Sequence, residues 1–120
     1  MIVKAGVEAL AGLGLMAFPS LAVFFLTGQR IDEPAGVVLG RIGGVALLAL
    51  GISCWLARKE SQNRAAIGLI LALLVYDVSV VLILLAAHFT TGLLGIALWP
   101  AVALHSTLGV WSLLCLREAM

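Results

Sequence analysis

Residues 65–87 read AAIGLILALLVYDVSVVLILLAA, and the only polar side chains in this run are Tyr76, Asp77 and Ser79. The run is long enough to cross the roughly 30 Å hydrocarbon core of a bilayer as one helix. A carboxyl group in the middle of such a helix costs roughly 2.5–3.5 kcal/mol on insertion scales, and it usually has a partner or a function. We therefore expect Asp77 to be paired with a group elsewhere in the chain.

The composition of the whole chain agrees with a membrane location. Of its 120 residues, 63% are hydrophobic and 11% are charged, whereas soluble domains carry about 25% charged residues. A soluble core of this length could not bury so much apolar surface. The sequence therefore predicts an all-α integral membrane protein whose residues 1–120 form one transmembrane domain.

Four apolar runs predict four membrane-spanning helices, over about residues 5–26, 36–56, 65–87 and 93–116. The connections between them are short, which favours an antiparallel up-down bundle. Two prolines modify this scheme. Pro19 is expected to kink or end the first helix, and Pro100 either kinks the fourth helix or starts it, with residues 93–99 forming a separate segment.

The distribution of basic residues predicts the orientation. With the N-terminus inside, the cytoplasmic side carries Lys4, Arg58, Lys59, Arg64 and Arg117, whereas the opposite side carries only Arg30. The positive-inside rule then places both termini in the cytoplasm and the chain in the cell inner membrane.

Glu8 lies about one turn into the first span, where we expect it to snorkel or to meet Lys4.

Depths along the helices suggest companions for Asp77. At about 1.5 Å per residue, Arg41 lies about 8 Å below the outer boundary, Asp77 about 15 Å and His105 about 18 Å. If their helices are neighbours, Arg41 can reach Asp77 and form an ion pair. We expect a ligand-binding polar cluster of Arg41, Tyr76, Asp77 and His105, with His105 near its centre.

Small residues predict where helices pack closely. These residues are Gly36, Gly40, Gly44 and Gly51 on the second span, and Ala97, Ala101 and Gly109 on the fourth. We expect such glycine faces to support a homo-oligomer or a partner in a membrane complex.

Asp77 lies instead among the bulky residues Leu73, Leu74, Val80 and Val81. Its carboxyl group therefore pairs with Arg41, meets another subunit, or is neutral and bonded to Tyr76, Ser79 or a helix carbonyl.

The sequence carries none of the motifs of common catalytic or metal sites, such as His-Glu-x-x-His, a phosphate loop or a serine triad. His88 and His105 differ in depth, so they are not expected to hold a haem together within one subunit. The formal net charge of +1 does not favour nucleic acid as a partner. We expect no catalytic residues and no metal, and the sequence names no cofactor.

Several residues of three predicted helices form a recurring pattern: Arg41, Gly44, Gly51, Trp55 and Arg58, the pair Tyr76-Asp77, and residues 98–105, which read LWPAVALH. In these residues the chain resembles small four-helix bacterial inner-membrane proteins of uncharacterised function. The resemblance covers most of the chain and implies a fold but no activity.

The sequence leaves three functions open. Convergent polar groups in an apolar bundle suggest binding of a hydrophobic or amphipathic ligand, such as a quinone or lipid. The second function is that of a small proton- or ion-coupled transporter or channel, in which Asp77 titrates. The third is that of an accessory subunit in a larger membrane complex. None of the three requires an enzyme.

Overall fold

The computed structural model describes residues 2–60 and 62–120, and these residues form five helices and no strand. The helices are α1 (Ile2–Ala17), α2 (Pro19–Thr27), α3 (Pro34–Leu56), α4 (Arg64–Thr91) and α5 (Leu98–Ala119). The all-helical prediction is confirmed. Helices α3 and α4 include the spans predicted at 36–56 and 65–87.

The helices have the lengths and surfaces of membrane helices. Helices α3, α4 and α5 are each long and apolar enough to cross a bilayer, and α1 and α2 meet the same test only when they are taken together. Large apolar side chains cover much of the surface, among them Leu10, Leu39, Ile83 and Phe89. Soluble monomers rarely expose apolar patches of this extent. The structure is therefore consistent with a membrane protein that has three spans, or four if α1 and α2 form one.

The first predicted span is broken at Phe18. Helix α1 ends at Ala17, Pro19 begins α2, and the two helix axes differ by 115°. A proline inside a helix removes a backbone hydrogen bond, and it disfavours helical geometry in the residue before it. Phe18 accordingly has a φ of −132° and a ψ of 64°. Pro19 thus ends the first helix, as one of the two expectations held, and the region predicted as the first span contains two helices, α1 and α2.

The fourth span begins later than the predicted residue 93. Helix α5 begins at Leu98, so Pro100 lies in its first turn and does not kink it. The preceding segment instead donates backbone hydrogen bonds to the end of α2: Leu94 to Thr27, Gly95 to Leu26, and Ala97 to Phe25, at 3.1, 3.1 and 2.7 Å. These bonds satisfy carbonyl groups that the last turn of a helix leaves free.

Apart from α2, the helices pack as two pairs. In the first pair, Gly12 of α1 lies against Gly44 of α3, and Ala9 lies against Gly51. The numbering of one helix rises as that of the other falls, so the two run in opposite directions. In the second pair, α4 packs against α5, with Asp77 facing Gly109.

Glycine permits the close approach of α1 and α3. A Cβ added at Gly44 would lie 2.5 Å from the backbone nitrogen of Met16, and one at Gly12 would lie 2.6 Å from that of Leu48. Gly51 faces Ala9 of α1, so Gly44 and Gly51 lie on this contact, whereas Gly40 faces Pro19, the first residue of α2. This glycine face is thus covered by α1 and the beginning of α2 of the same chain and is not free to pair with a second copy.

The other predicted packing residues have different surroundings. Gly36 lies against the side chain of Ile31, in the segment before α3. Ala97 is the residue before α5 and bonds to Phe25 of α2. Ala101, one turn later, is half-buried, and Gly109 is buried beside Asp77.

The close contact between α1 and α3 predicts a selective effect of alanine. Gly44→Ala should destabilise the protein by about 1–3 kcal/mol, because a methyl group there forces two helix backbones apart. Gly68→Ala on α4 is the matched control, since no atom lies within 4 Å of a Cβ at that position. The measurement is thermal unfolding in detergent. Equal melting temperatures for the two variants would contradict the packing described.

Candidate functional site

Four ionisable side chains from three helices meet inside the protein, and we call them the ion cluster: Lys4, Glu8, Asp77 and His105. The Lys4 ammonium donates hydrogen bonds to Asp77 Oδ1 at 2.6 Å and to Glu8 Oε1 at 3.2 Å. His105 Nδ1 lies 2.8 Å from the same Asp77 oxygen. Asp77 is therefore the member that connects α1, α4 and α5.

Helix geometry explains how the cluster is assembled. Lys4 and Glu8 are four residues apart on α1, so their side chains lie on the same face of that helix. His105 lies one turn before Gly109, which packs beside Asp77; a Cβ at Gly109 would be in ordinary contact with that of Asp77, at 3.5 Å. The edge of the Tyr76 ring packs against the His105 ring, with centroids 5.5 Å apart. The Lys4 ammonium lies 5.5 Å from the Tyr76 ring centroid.

The cluster is deeply buried. Glu8 and Asp77 have no exposed surface, and Lys4 is 5% exposed. One oxygen of each carboxylate, Glu8 Oε2 and Asp77 Oδ2, has no hydrogen-bond partner in the part of the chain that the structure describes. A buried charge is costly unless it is paired, so the Lys4 ammonium is essential to both acids. The two unpartnered oxygens remain able to accept further hydrogen bonds.

The charges of the cluster do not balance when His105 is neutral. Two carboxylates then face one ammonium, and the sum is one negative charge. One additional proton, on the imidazole or on a carboxylate, makes the cluster neutral. Because Asp77 Oδ1 accepts a bond from Lys4, we assign the hydrogen between Asp77 and His105 to Nδ1, and His105 Nε2 is then a site for the additional proton.

The cluster also contains a set of potential metal ligands, which the sequence did not predict. Glu8, Asp77 and His105 each offer one ligand atom, and these atoms lie within 4.8 Å of one another. Two oxygens and one imidazole nitrogen are a donor set that transition metals accept. The Lys4 ammonium, however, contacts both carboxylates. Lysine thus supplies the positive charge that a metal ion would bring to this place.

The predicted ligand cluster is assembled only in part. Tyr76, Asp77 and His105 lie together, but Arg41 is exposed on the surface of α3 beside Val38 and Ile42. Among the described residues, the ion-pair partners of Asp77 are Lys4 and His105. The expected pair of Arg41 with Asp77 is therefore wrong. Similar depth was necessary for that pair but not sufficient, because α3 packs against α1 and turns Arg41 outward.

Asp77 is buried within this chain and contacts Lys4 and His105, so the alternative that it meets another subunit does not describe its surroundings. Asp77 shares the buried side of α4 with Leu73, which packs against Ala5 and Cys54. Val75 and Val78 lie on the exposed side of the helix. Bulky neighbours did not mark a lipid-facing side, because a leucine is equally suited to the interior of the bundle.

Lys4 and Glu8 are the site residues that the sequence interpretation missed. The sequence predicted that Glu8 either meets Lys4 or snorkels to the surface. The first alternative is confirmed, because Glu8 is buried and pairs with Lys4. Lys4 was expected to mark the cytoplasmic boundary, and it is buried instead. The available signal was their spacing: a lysine and a glutamate one turn apart, within an otherwise apolar helix, are positioned to enter the protein together.

His88, the second histidine of the chain, lies apart from the cluster, near the end of α4. Its ring packs edge-on against that of Trp99, with centroids 5.3 Å apart. Its Nδ1 lies 2.9 Å from the carbonyl oxygen of Leu93. His88 thus holds the segment between α4 and α5.

Two spaces approach the ion cluster. A cavity of about 60 Å³ includes Lys4, Ser112 and Cys115 in its lining. A groove of about 240 Å³ between α4 and α5, which we call the α4–α5 groove, is apolar except for Asp77, His105 and Ser106. The cluster thus contributes Lys4 to one space and Asp77 with His105 to the other.

Comparison with known proteins gives no relative from which a role could be transferred. The sequence matches no protein-family model, and it is similar to no curated protein or solved structure. The function is therefore argued from the chemistry of the ion cluster.

Removal of the cluster's ammonium group tests whether the cluster holds the fold. Lys4→Met should destabilise the protein by about 3–5 kcal/mol, because it leaves two buried carboxylates without their cation. Lys59→Met is the control, since Lys59 is exposed in the segment between α3 and α4. Unfolding by denaturing detergent measures both. If the Lys4→Met and Lys59→Met variants have the same free energy of unfolding, the buried pairing of Lys4 is refuted.

Proposed function

We propose that this chain is a small proton-coupled transporter or channel, in which the ion cluster binds and releases one proton. The observation that carries this proposal is a buried cluster in which two carboxylates meet one ammonium group and one imidazole. In an apolar interior, a single uncompensated charge is costly. The cluster therefore has two states that differ by one proton, one neutral and one singly negative. Their relative free energies change when the hydration of the cluster changes or when a ligand binds. Intramembrane carboxylates with histidine are typical of proton relays.

The spaces beside the cluster support proton exchange. Lys4 lines the small cavity, whereas Asp77 and His105 line the α4–α5 groove. A proton that enters from one space meets the unpartnered oxygens or His105 and can leave toward the other. Titratable groups from every helix around the cluster belong to this environment: Lys4 and Glu8 of α1, Cys54 of α3, Tyr76 and Asp77 of α4, and His105 of α5.

The proposed setting is the bacterial inner membrane, with four spans and both termini in the cytoplasm. With Lys4 buried, four basic residues remain for the cytoplasmic side: Arg58, Lys59, Arg64 and Arg117. Only Arg30 lies in the opposite connections, so the positive-inside bias remains. In this arrangement α1 and α2 together form the first span.

An isosteric change of one carboxylate tests the proposal. Asp77→Asn keeps the size of the side chain and removes its charge. In proteoliposomes with a pH gradient and a clamped membrane potential, the unchanged protein should let protons cross, and Asp77→Asn should abolish that movement. Asp32→Asn, the same change at an exposed residue, should leave it intact. A folded Asp77→Asn variant with unchanged proton movement would rule the proposal out.

A second candidate function is the binding of an amphipathic ligand such as a quinone or lipid, and the α4–α5 groove favours it. The groove offers an apolar wall that includes Val81, Leu82 and Val110, with Asp77 and His105 as polar contacts. This pattern suits a polar head and an apolar body. Arg41, which the sequence placed in such a site, lies elsewhere and takes no part.

Filling the groove distinguishes the second candidate from the first. Ser106→Phe should expel a ligand that copurifies in mild detergent, because residue 106 lines the groove. Thr107→Phe is the control, since Thr107 is exposed on the same helix outside the groove lining. Mass spectrometry identifies the ligand. If Ser106→Phe retains the ligand as the control does, the α4–α5 groove is not its site.

A further inference from the structure

We propose that Arg41 binds the phosphate of an anionic phospholipid whose acyl chain lies along the exposed face of α3. Arg41 is seven residues after Pro34, so it lies about 10 Å from the beginning of the helix. Its side chain is exposed among apolar residues. Arginine in a membrane helix normally faces the protein interior or a partner. Within residues 2–60 and 62–120, the acids that form ion pairs are Glu8 and Asp77, and neither pairs with Arg41.

The surface below Arg41 has the form that an acyl chain requires. Val38, Arg41, Ile42, Val45, Ala46 and Ala49 line a shallow, open furrow along the surface of α3. Their spacing of three and four residues places them on one side of α3. The two alanines lower the surface there, whereas Val38 and Ile42 are 55% and 60% exposed. Arg41 is the only charged residue in the furrow, so the furrow offers one cationic group and an apolar track.

The chemistry of a phospholipid matches both parts. The guanidinium group presents a planar set of donors that suits phosphate oxygens. From its depth in α3, the long side chain can snorkel toward the headgroups while its stem remains against the helix. The acyl chain of the same lipid then runs along Ile42, Val45 and Ala49.

A second copy of this chain fits the furrow less well. The chain has six acidic residues: Glu8, Asp32, Glu33, Glu60, Asp77 and Glu118. Glu8 and Asp77 are buried in the ion cluster, and the other four lie in connections or at a helix end. A second copy therefore has no exposed carboxylate in the interior of a helix, at the depth of Arg41.

Native mass spectrometry tests this site with phosphatidylglycerol as the probe. The protein is reconstituted in mixed phosphatidylglycerol and phosphatidylcholine, extracted in mild detergent, and weighed with its bound lipid. Arg41→Ala should reduce the retained phosphatidylglycerol about tenfold, as the loss of one charge-assisted pair implies. Arg41→Lys should retain an intermediate amount. Arg117→Ala, which removes an exposed arginine at the other end of the chain, should retain the full amount.

A second variant, Ala46→Phe, keeps Arg41 and fills the furrow with a phenyl ring, so it should also lose the bound lipid. It tests the site independently if the Arg41→Ala variant does not fold. Equal retention by a folded Arg41→Ala variant and by the Arg117→Ala control would overturn the proposal. So would a shift from dimer to monomer in Arg41→Ala with the bound lipid unchanged, because the occupant of the furrow would then be a second copy. Arg41 lies outside the ion cluster, so this proposal is independent of the proton-coupled function.

Discussion

The ammonium group of Lys4 lies between two carboxylates in the interior of an apolar protein, and the arrangement of the helices depends on it. Helix α1 packs closely with α3, and α4 packs with α5. The bond from Lys4 to Asp77 joins the first pair to the second. A second connection, made of backbone hydrogen bonds, links the end of α2 to the segment before α5. Apolar packing of Ala5 and Cys54 against Leu73 lies beside the cluster.

Joining helices through a buried ion cluster requires the desolvation of several charged groups, which costs free energy. Well-packed apolar residues often replace buried ion pairs with no loss of stability, and sometimes with a gain. A chain that needed only cohesion could place leucine at residues 4, 8 and 77. The retained charges, the unpartnered oxygens of Glu8 and Asp77, and the adjacent α4–α5 groove support a chemical role in addition to the structural one. Stability alone accounts for the Lys4–Asp77 bond but not for a second buried carboxylate on the same ammonium group.

Composition and hydropathy predicted the helical class and the approximate bounds of α3 and α4, because the cost of placing polar groups in hydrocarbon strongly restricts a membrane chain. The direction in which each helix faces was much harder to predict. Helices that are apolar all round carry little information about their neighbours, so the bulky residues around Asp77 left its partner undecided. Glycine spacing correctly marked a close contact on α3, but it did not reveal that α1 makes that contact.

Local backbone chemistry explains the other differences. Pro19 could kink or end a helix, and only the surrounding packing determines which of the two occurs. The segment before Leu98 is apolar enough for a helix, yet its backbone bonds to α2 instead. Arg41 was paired with Asp77 on depth alone, without knowledge of helix order. Lys4 was interpreted as a boundary residue because the positive-inside rule counts charges near helix ends and does not consider their partners.

Lys4 and Asp77 contact each other directly in the buried cluster, and a double-mutant cycle tests this contact. Lys4→Met, Asp77→Leu and the double variant are unfolded in the same detergent, and their free energies of unfolding are compared. The double variant should lose less stability than the sum of the single variants, by about 1–3 kcal/mol, because the two side chains interact. Additive losses would contradict it, because they would show that the two side chains do not interact.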